Sequence, residues 1–368
     1  MIRNRKARGT GPMGHTRREM MALGAAGIGI AAMPLIPGTA RADSDHAVMF
    51  TWGGYELPGF DDAYIEKYGE SPDFSFFGDE DEAFAKILSG FTPDLAHPCS
   101  SLTQKWVDAD LIQPIDVSRL SNWPDLYPMM RDLPGTIFGG EHYFVPWDWG
   151  WTSITYRTDL VDVGEEESYS LLWDERYAGK LAVIDAVGDT GFIAAIYLGL
   201  DPFHLTLDQI AEIKELLVKQ KPLLRMYTND LSAVEQGLAS GELVAALTWN
   251  DSPINLIWDD VPVRYMQPKE GALVWACGYV LVKGAPNLDR AYELIDNRLD
   301  TRSGYYIMSE YGYGHSNAKS AELFSAEDLD NIGLPRDQAA FLNNAVIGGM
   351  PENYEALIMM FEEVKAGF

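Results

Sequence analysis

Ala47-Val48-Met49-Phe50-Thr51-Trp52-Gly53-Gly54 opens the stretch that decides the fold. Six uncharged residues closed by two glycines read as a buried strand. Residues 58–69 then place Pro58 at a helix start, with Phe60, Tyr64 and Ile65 on one side. Phe74–Phe77 predicts a second short strand, and Glu82–Leu88 a helix that stops near Gly90. Pro93-Asp94-Leu95-Ala96 predicts a third strand, which runs into the loop His97-Pro98-Cys99-Ser100-Ser101. Strand and helix alternating in this way predict an α/β fold with a mainly parallel, doubly wound sheet.

Further along, residues 142–156 form one long extended run that contains Trp147, Trp149 and Trp151. A strand of that length suits a crossing from one lobe to another. A second α/β region follows it. Lys180–Asp185, Leu243–Trp249, Val263–Met266 and Val274–Val282 read as strands, and 191–200 and 207–220 as helices. Asn287–Leu299, Gln338–Val346 and Asn353–Lys365 close the chain as helices, the last two separated by Gly348-Gly349-Met350-Pro351. No internal repeat and no Gly/Ser/Pro linker separates the halves, so two lobes joined by short crossings are expected.

The N-terminus predicts export. Arg3, Arg5, Lys6 and Arg8 form a basic start, and Thr16-Arg17-Arg18-Glu19 precedes an Ala- and Gly-rich apolar stretch from Met20 to Ile36. That stretch is too short and too weakly apolar for a membrane span. Ala40-Arg41-Ala42 fits a small-x-small cleavage site, and the paired arginines fit a twin-arginine signal. The expected signal peptide is 1–42. Its removal takes away seven basic residues and one acid, so the formal charge of −27 becomes −33. Such a surface repels nucleic acid and anionic lipid and attracts cations.

Chemistry-bearing motifs are few. Cys99 and Cys277 are the only cysteines, too few for a disulfide scaffold, and no C-x-x-C or His/Cys cluster suggests a metal or cofactor. No G-x-S-x-G, H-E-x-x-H or Walker loop occurs. Tryptophans are more informative. Trp52, Trp147, Trp149, Trp151, Trp249 and Trp275 lie near strand ends or a crossing, where ligands bind in open α/β sheets. Indole faces attract ammonium groups by about 0.5–2 kcal/mol each. Trp147, Trp149 and Trp151 could equally fill a core. Asp148, Asp185, Asp189 and Asp251 stand near the same strand ends, and a desolvated ammonium needs such a partner.

Several stretches in order resemble the periplasmic spermidine/putrescine-binding proteins of ABC importers. They are Phe50-Thr51-Trp52-Gly53-Gly54-Tyr55, Leu171-Leu172-Trp173, Tyr177-Ala178-Gly179-Lys180 and Leu247-Thr248-Trp249-Asn250. Gln267-Pro268-Lys269-Glu270-Gly271, Tyr311-Gly312-Tyr313 and Glu363-Val364-Lys365-Ala366-Gly367 continue the match. The resemblance implies a two-lobed type II periplasmic binding-protein fold with two crossings. On that basis lobe 1 comprises 43–152 and 277–320, and lobe 2 comprises 153–276 and 321–368.

The resemblance also implies site residues. Trp52 and Tyr55 fall on the lobe 1 wall, Asp185 where the family grips a terminal amine, and Asp189 near a second acidic position. Trp249 and Trp275 match indoles that sandwich the aliphatic chain, and Tyr313 matches a hydroxyl-bearing wall residue. Two departures stand out. Cys277 replaces a carboxylate, and Cys99 and Ser101 replace a serine and a tyrosine in the loop that also holds Ser100, a further candidate contact. Without a central carboxylate, a diamine, a compact monoamine or a quaternary amine is expected to fit better than a triamine.

The expectation is therefore a monomeric periplasmic substrate-binding component of an ABC importer. It would capture a small cationic amine ligand, pass it to an inner-membrane permease, bind no nucleic acid and need no cofactor or metal. An exported enzyme acting on a cationic metabolite and a receptor coupled to a membrane sensor are the alternatives.

Overall fold

The computed structural model describes residues 46–164 and 166–367. The export segment expected over 1–42 lies outside the described residues. β1 (Val48–Trp52), β2 (Asp73–Phe77) and β3 (Leu95–Ala96) run parallel, β1 lying between the other two. Parallel neighbours need a crossover, supplied here by the helices Asp62–Tyr68 and Glu80–Leu88. The second helix is started by Asp79, whose side chain accepts from the Glu82 amide at 2.8 Å.

β4 (Ile112–Gln113) and a small hairpin of β5 (Ile137–Phe138) and β6 (Glu141–His142) lead into β7 (Val145–Arg157), a strand of 13 residues. A second parallel trio follows: β8 (Leu181–Val183), flanked by β9 (Leu224–Tyr227) and β10 (Ala245–Thr248). The helices Leu207–Gln220 and Leu231–Ser240 make its crossovers. β11 (Val263–Tyr265), β12 (Leu273–Val282) and β13 (Gly314–His315) complete the strands.

The long strands join the lobes. Strand order runs β2-β1-β3-β12-β7-β10-β8-β9, with β4 on β12 and both β11 and β13 on β7. β12 and β7 pair antiparallel from Leu273↔Thr152 to Tyr279↔Val145, while β7 beyond Ser153 pairs with β10 and β11. The two crossings are therefore neighbouring strands of one ribbon, which can twist without breaking hydrogen bonds at either end. Gly278 sits at the register irregularity of this ribbon. A Cβ there would come within 2.1 Å of the Val145 carbonyl oxygen.

Each trio has its own core. Met49, Phe50, Phe60, Trp106, Tyr279 and Leu281 belong to the first, and Ile154, Leu172, Ile193, Ile213, Leu247 and Phe361 to the second. Trp147, Trp149 and Trp151 are all 0 % exposed and pack in the first core. Their shared strand face, expected from alternation, is an interior face. The sequence-based division placed 321–368 with lobe 2. Leu329, Ile332, Leu334 and Leu342 instead pack in the first core, and Leu357, Met360, Phe361 and Val364 in the second. The chain thus recrosses between about Leu342 and Leu357, at the Gly348-Gly349 segment.

Candidate functional site

Asp189 occupies a tight turn, Val187–Gly191, between β8 and the helix Phe192–Tyr197. The turn is tied down by Thr190, whose hydroxyl donates to the Ile184 carbonyl at 2.6 Å. Asp189 therefore stands outside the C-terminal end of a parallel strand, where a doubly wound sheet leaves a crevice. Its Oδ1 accepts from the Thr152 hydroxyl at 2.6 Å and from the Trp249 indole N–H at 3.1 Å. Its Oδ2 makes no hydrogen bond or ion pair among the described residues. Burial pushes the Asp189 carboxyl up from its ordinary value, and the two donors only partly offset this.

Asp189 lines a cavity of about 210 Å³ between the lobes. Thr152, Gly188 and Phe192 wall it with Asp189, and Phe203 stands beside them. Facing them are Glu80, Cys99, Ser100, Ser101 and Leu102 from the first lobe, and Trp275 from the β12 crossing. The recrossing segment Ile347–Pro351 and Tyr354 close it. Its volume falls below the 300–1,000 Å³ usual for drug-sized ligands, so it suits a molecule of a few heavy atoms. No lysine, arginine or histidine is among its lining residues. The lobes meet beside it, where Asn250 donates to the Gly312 carbonyl at 3.5 Å.

Trp275 is the indole on the cavity wall. It lies over Gly150 of β7, where a Cβ would come within 2.3 Å of the ring. Its edge meets the Tyr313 ring at 5.0 Å, and Tyr313, Tyr311 and Tyr55 continue at 5.9 and 5.8 Å. Tyr55 and Tyr313 are not among the lining residues and connect to Trp275 through this row of rings. Trp249 is not among the lining residues and meets the site through the bond its indole N–H donates to Asp189. Ser100 lines the cavity directly.

Two expected positions go elsewhere. Asp185 is paired with Lys365 of the C-terminal helix at 2.6 Å and is not among the lining residues. Lys365, which also reaches Glu362 at 2.7 Å, holds Asp185 in a surface cluster off the cavity wall. The reason lies in the turn, which carries the chain past Asp185 and presents Asp189 to the cleft. Trp52 packs edge-on against Phe77 at 4.5 Å, its register partner on β2, and also lies off the cavity.

Cys277 does not stand as a separate small lining residue. It is joined to Cys99 by a disulfide that spans 178 residues of sequence. The bond ties the 97–102 loop to the β12 crossing, with Cys99 on the cavity surface. Cross-linking so long a loop restricts the unfolded chain, which stabilises the fold by about 2–5 kcal/mol. Reduction, or the double substitution Cys99→Ser/Cys277→Ser, is expected to lower the urea midpoint accordingly, while alkylation after mild reduction should label both thiols. An unchanged midpoint in the reduced protein would show that the bond contributes nothing.

Some contributors were not legible in the sequence. Glu80 reads there only as one acid in an acidic helix start. Asp148, one of the carboxylates expected near a ligand, is instead fully buried off the cavity, where His97, which the sequence did not single out, joins it and Tyr55 in a network. The Tyr55 hydroxyl donates to Asp148 Oδ2 at 2.9 Å, His97 Nε2 reaches Oδ1 at 3.2 Å, and Thr51 Oγ1 lies 2.9 Å from His97 Nδ1. Burial lowers the His97 pKa and keeps the ring neutral, so Nε2–H donates to Asp148 and Nδ1 accepts from Thr51. Spacings of 46 and 51 residues give such a network no local signature.

A larger open depression of about 1170 Å³ lies along β11 and residues 333–344 and shares no lining residue with the cleft. Arg336 on its wall is already paired with Asp330. Among the described residues, no group of three or more His, Cys, Asp or Glu could hold a metal ion. No described helix is long and apolar enough to cross a membrane.

Residues 78–331 match the family model for bacterial extracellular solute-binding proteins. The spermidine/putrescine-binding periplasmic protein of Escherichia coli K12 is 25 % identical over 356 residues, covering 95 % of this chain and 98 % of that protein. The putrescine-binding periplasmic protein of the same organism is 26 % identical over 336 residues, covering 85 % and 89 %. Among solved structures, the spermidine/putrescine ABC transporter substrate-binding protein of Streptococcus pneumoniae superposes with a TM-score of 0.77. Its identity is 21 %, and the match covers 88 % of this chain and all of that one. A family match across more than half the chain therefore agrees with the two-lobed architecture: the protein belongs to the bacterial extracellular solute-binding proteins.

Proposed function

We propose that the protein captures a polyamine or related small organic amine in the inter-lobe cavity and delivers it to an ABC permease of the inner membrane. One observation carries this reading. Asp189 presents an oxygen without a partner to a half-open, partly aromatic cavity whose lining contains no basic side chain. A half-buried carboxylate left in that state loses part of its hydration without a compensating partner. An ammonium group seated beside Trp275 would neutralise it and gain attraction from the indole face. Micromolar capture needs about −8 kcal/mol, within reach of one or two charge-assisted contacts plus aromatic packing.

Capture is by closure, the lobes hinging on the β7–β12 ribbon, with no bond made or broken in the ligand. The names of the relatives, which bind spermidine, putrescine or both, support the amine class. A disulfide in the cleft supports an oxidising compartment, and the paired Arg17-Arg18 supports export to the periplasm by the twin-arginine route. The protein acts there as a monomer.

Mass spectrometry of the small molecule released on denaturation, followed by calorimetry with putrescine, spermidine and choline, tests the reading. An amine in the released fraction, and tighter binding of putrescine or choline than of spermidine, are expected. A protein that binds none of the three and releases an anion or a neutral sugar overturns it.

A further inference from the structure

Glu80 shares the cavity with Asp189 and comes from the opposite lobe. It opens the helix Glu80–Leu88, so its side chain leaves the helix end towards the cleft. The Cys99 amide donates to Glu80 Oε1 at 2.7 Å, and Cys99 is itself held to β12 by the disulfide. Glu80 is thus fixed in place by the loop that the bond anchors. Its Oε2 makes no hydrogen bond or ion pair among the described residues. The neighbouring cation is already committed, since Lys105 reaches Asp81 at 2.7 Å.

Two carboxyl groups from opposite lobes, each using one oxygen and leaving the other, give the cavity two acidic groups and no basic one. Cys277, bonded to Cys99, supplies no charge of its own. We infer that Glu80 is the lobe 1 contact for a second ammonium group, so that the site selects a short dication over a monocation of the same length. This rests on the cationic-ligand reading above and adds to it the residue that sets ligand charge. It also gives closure a driving force, because a dication bridging Glu80 and Asp189 engages both lobes only when they meet.

Protonation supports the assignment. Burial is the main cause that pushes the Glu80 carboxyl up to about 7; Asp81 and Asp79 raise it further, and the Cys99 amide and Lys105 lower it. Tyr354, on the recrossing segment, lines the same cavity as Glu80 and Asp189. An arriving ammonium must find Glu80 ionised. Affinity should therefore climb between about pH 6 and 8 and level off above, the alkylammonium staying charged up to about pH 10.

The test is calorimetry of the full protein with putrescine and with n-butylamine, in wild type and Glu80→Gln, and in two buffers of different ionisation enthalpy at pH 7. Putrescine is expected to bind wild type at least tenfold tighter than butylamine and to release a fraction of a proton. Glu80→Gln should lose that preference and the proton release, putrescine falling at least tenfold towards the affinity of butylamine. Glu80→Gln weakening both amines equally, or neither, overturns the role of Glu80 while leaving the amine reading intact. Should the variant fold poorly, the wild-type experiment decides by itself: equal binding of the two amines without proton release overturns the inference. A wild type that binds neither amine sinks both readings.

Discussion

Asp189→Asn is expected to weaken capture of the cationic ligand by about 2–5 kcal/mol, from roughly thirtyfold to several thousandfold. The asparagine carbonyl can keep both bonds that Asp189 accepts, from Thr152 and from the Trp249 indole. The cavity shape and the position of Trp249 are then preserved, and the loss reports the charge. It is large because the ammonium would shed part of its hydration in the cavity with its partner removed, and an unpaired desolvated charge costs more than the pair is worth. The unliganded protein should respond in the opposite sense. The folded pKa of Asp189 is raised by burial, so the folded state holds its proton to higher pH than the unfolded chain. That destabilising contribution is absent below the unfolded value of about 4, grows as pH rises towards the raised folded value, and is fully present above it. Unliganded Asp189→Asn should therefore match wild type near pH 4 and become the more stable of the two at pH 8. Calorimetric titration and urea denaturation at both pH values measure the two effects. A variant that binds as well as wild type removes Asp189 from the site.

Asp61→Asn should destabilise the first lobe by about 3–5 kcal/mol. Asp61 and Arg298 are both 0 % exposed and bonded twice, Arg298 Nε to Oδ1 at 2.6 Å and the second nitrogen to Oδ2 at 2.7 Å. The guanidinium also donates to the Tyr55 carbonyl at 3.0 Å and lies 5.0 Å from the ring centres of Phe60 and Trp147. Removing the carboxylate leaves a buried cation among aromatic rings with no anion to offset its desolvation. The pair also spans the fold, tying the segment after β1 to the helix Leu288–Arg298 across 237 residues. An apolar exchange of both partners, Asp61→Leu with Arg298→Met, should recover much of the loss, because it removes the charge together with the need to pair it. Urea denaturation of the single and double variants measures this. A double variant no more stable than the single one would mean that the ion pair contributes more than its desolvation costs. Because Arg298 holds the Tyr55 backbone, the single variant should also loosen the aromatic row that reaches Trp275.

Much of this protein was legible along the chain, and the reason is locality. The spacing of apolar residues at 47–52, 74–77 and 207–220 reports strand and helix directly, since periods of two and 3.6 are properties of consecutive residues. The 13-residue β7 announced a crossing by its length alone. Shorter or more polar elements left weaker traces: β9 and the helices Leu231–Ser240, Asp251–Trp258 and Thr301–Tyr311 are seen only in the structure. Trp249, Trp275 and Asp189 were singled out because strand ends in a doubly wound sheet converge on one crevice, a rule that needs no coordinates.

Choosing between neighbours required the folded chain. Asp185 and Asp189 are four residues apart, and only the turn over Val187–Gly191 and the approach of Lys365 decide which carboxylate faces the cavity and which sits in a surface pair. Likewise, three tryptophans at alternate positions define a face but not what covers it; the first core does. Glu80, the Cys99–Cys277 bond and the Tyr55–Asp148–His97 network join residues separated by 19 to 178 positions, and no local pattern encodes such a meeting. Composition and periodicity specified the elements and the order in which they alternate. Pairing partners, charge neutralisation and the walls of the cavity depend on which distant side chains come within a few ångströms, because hydrogen bonds and desolvation act over that range and not along the chain.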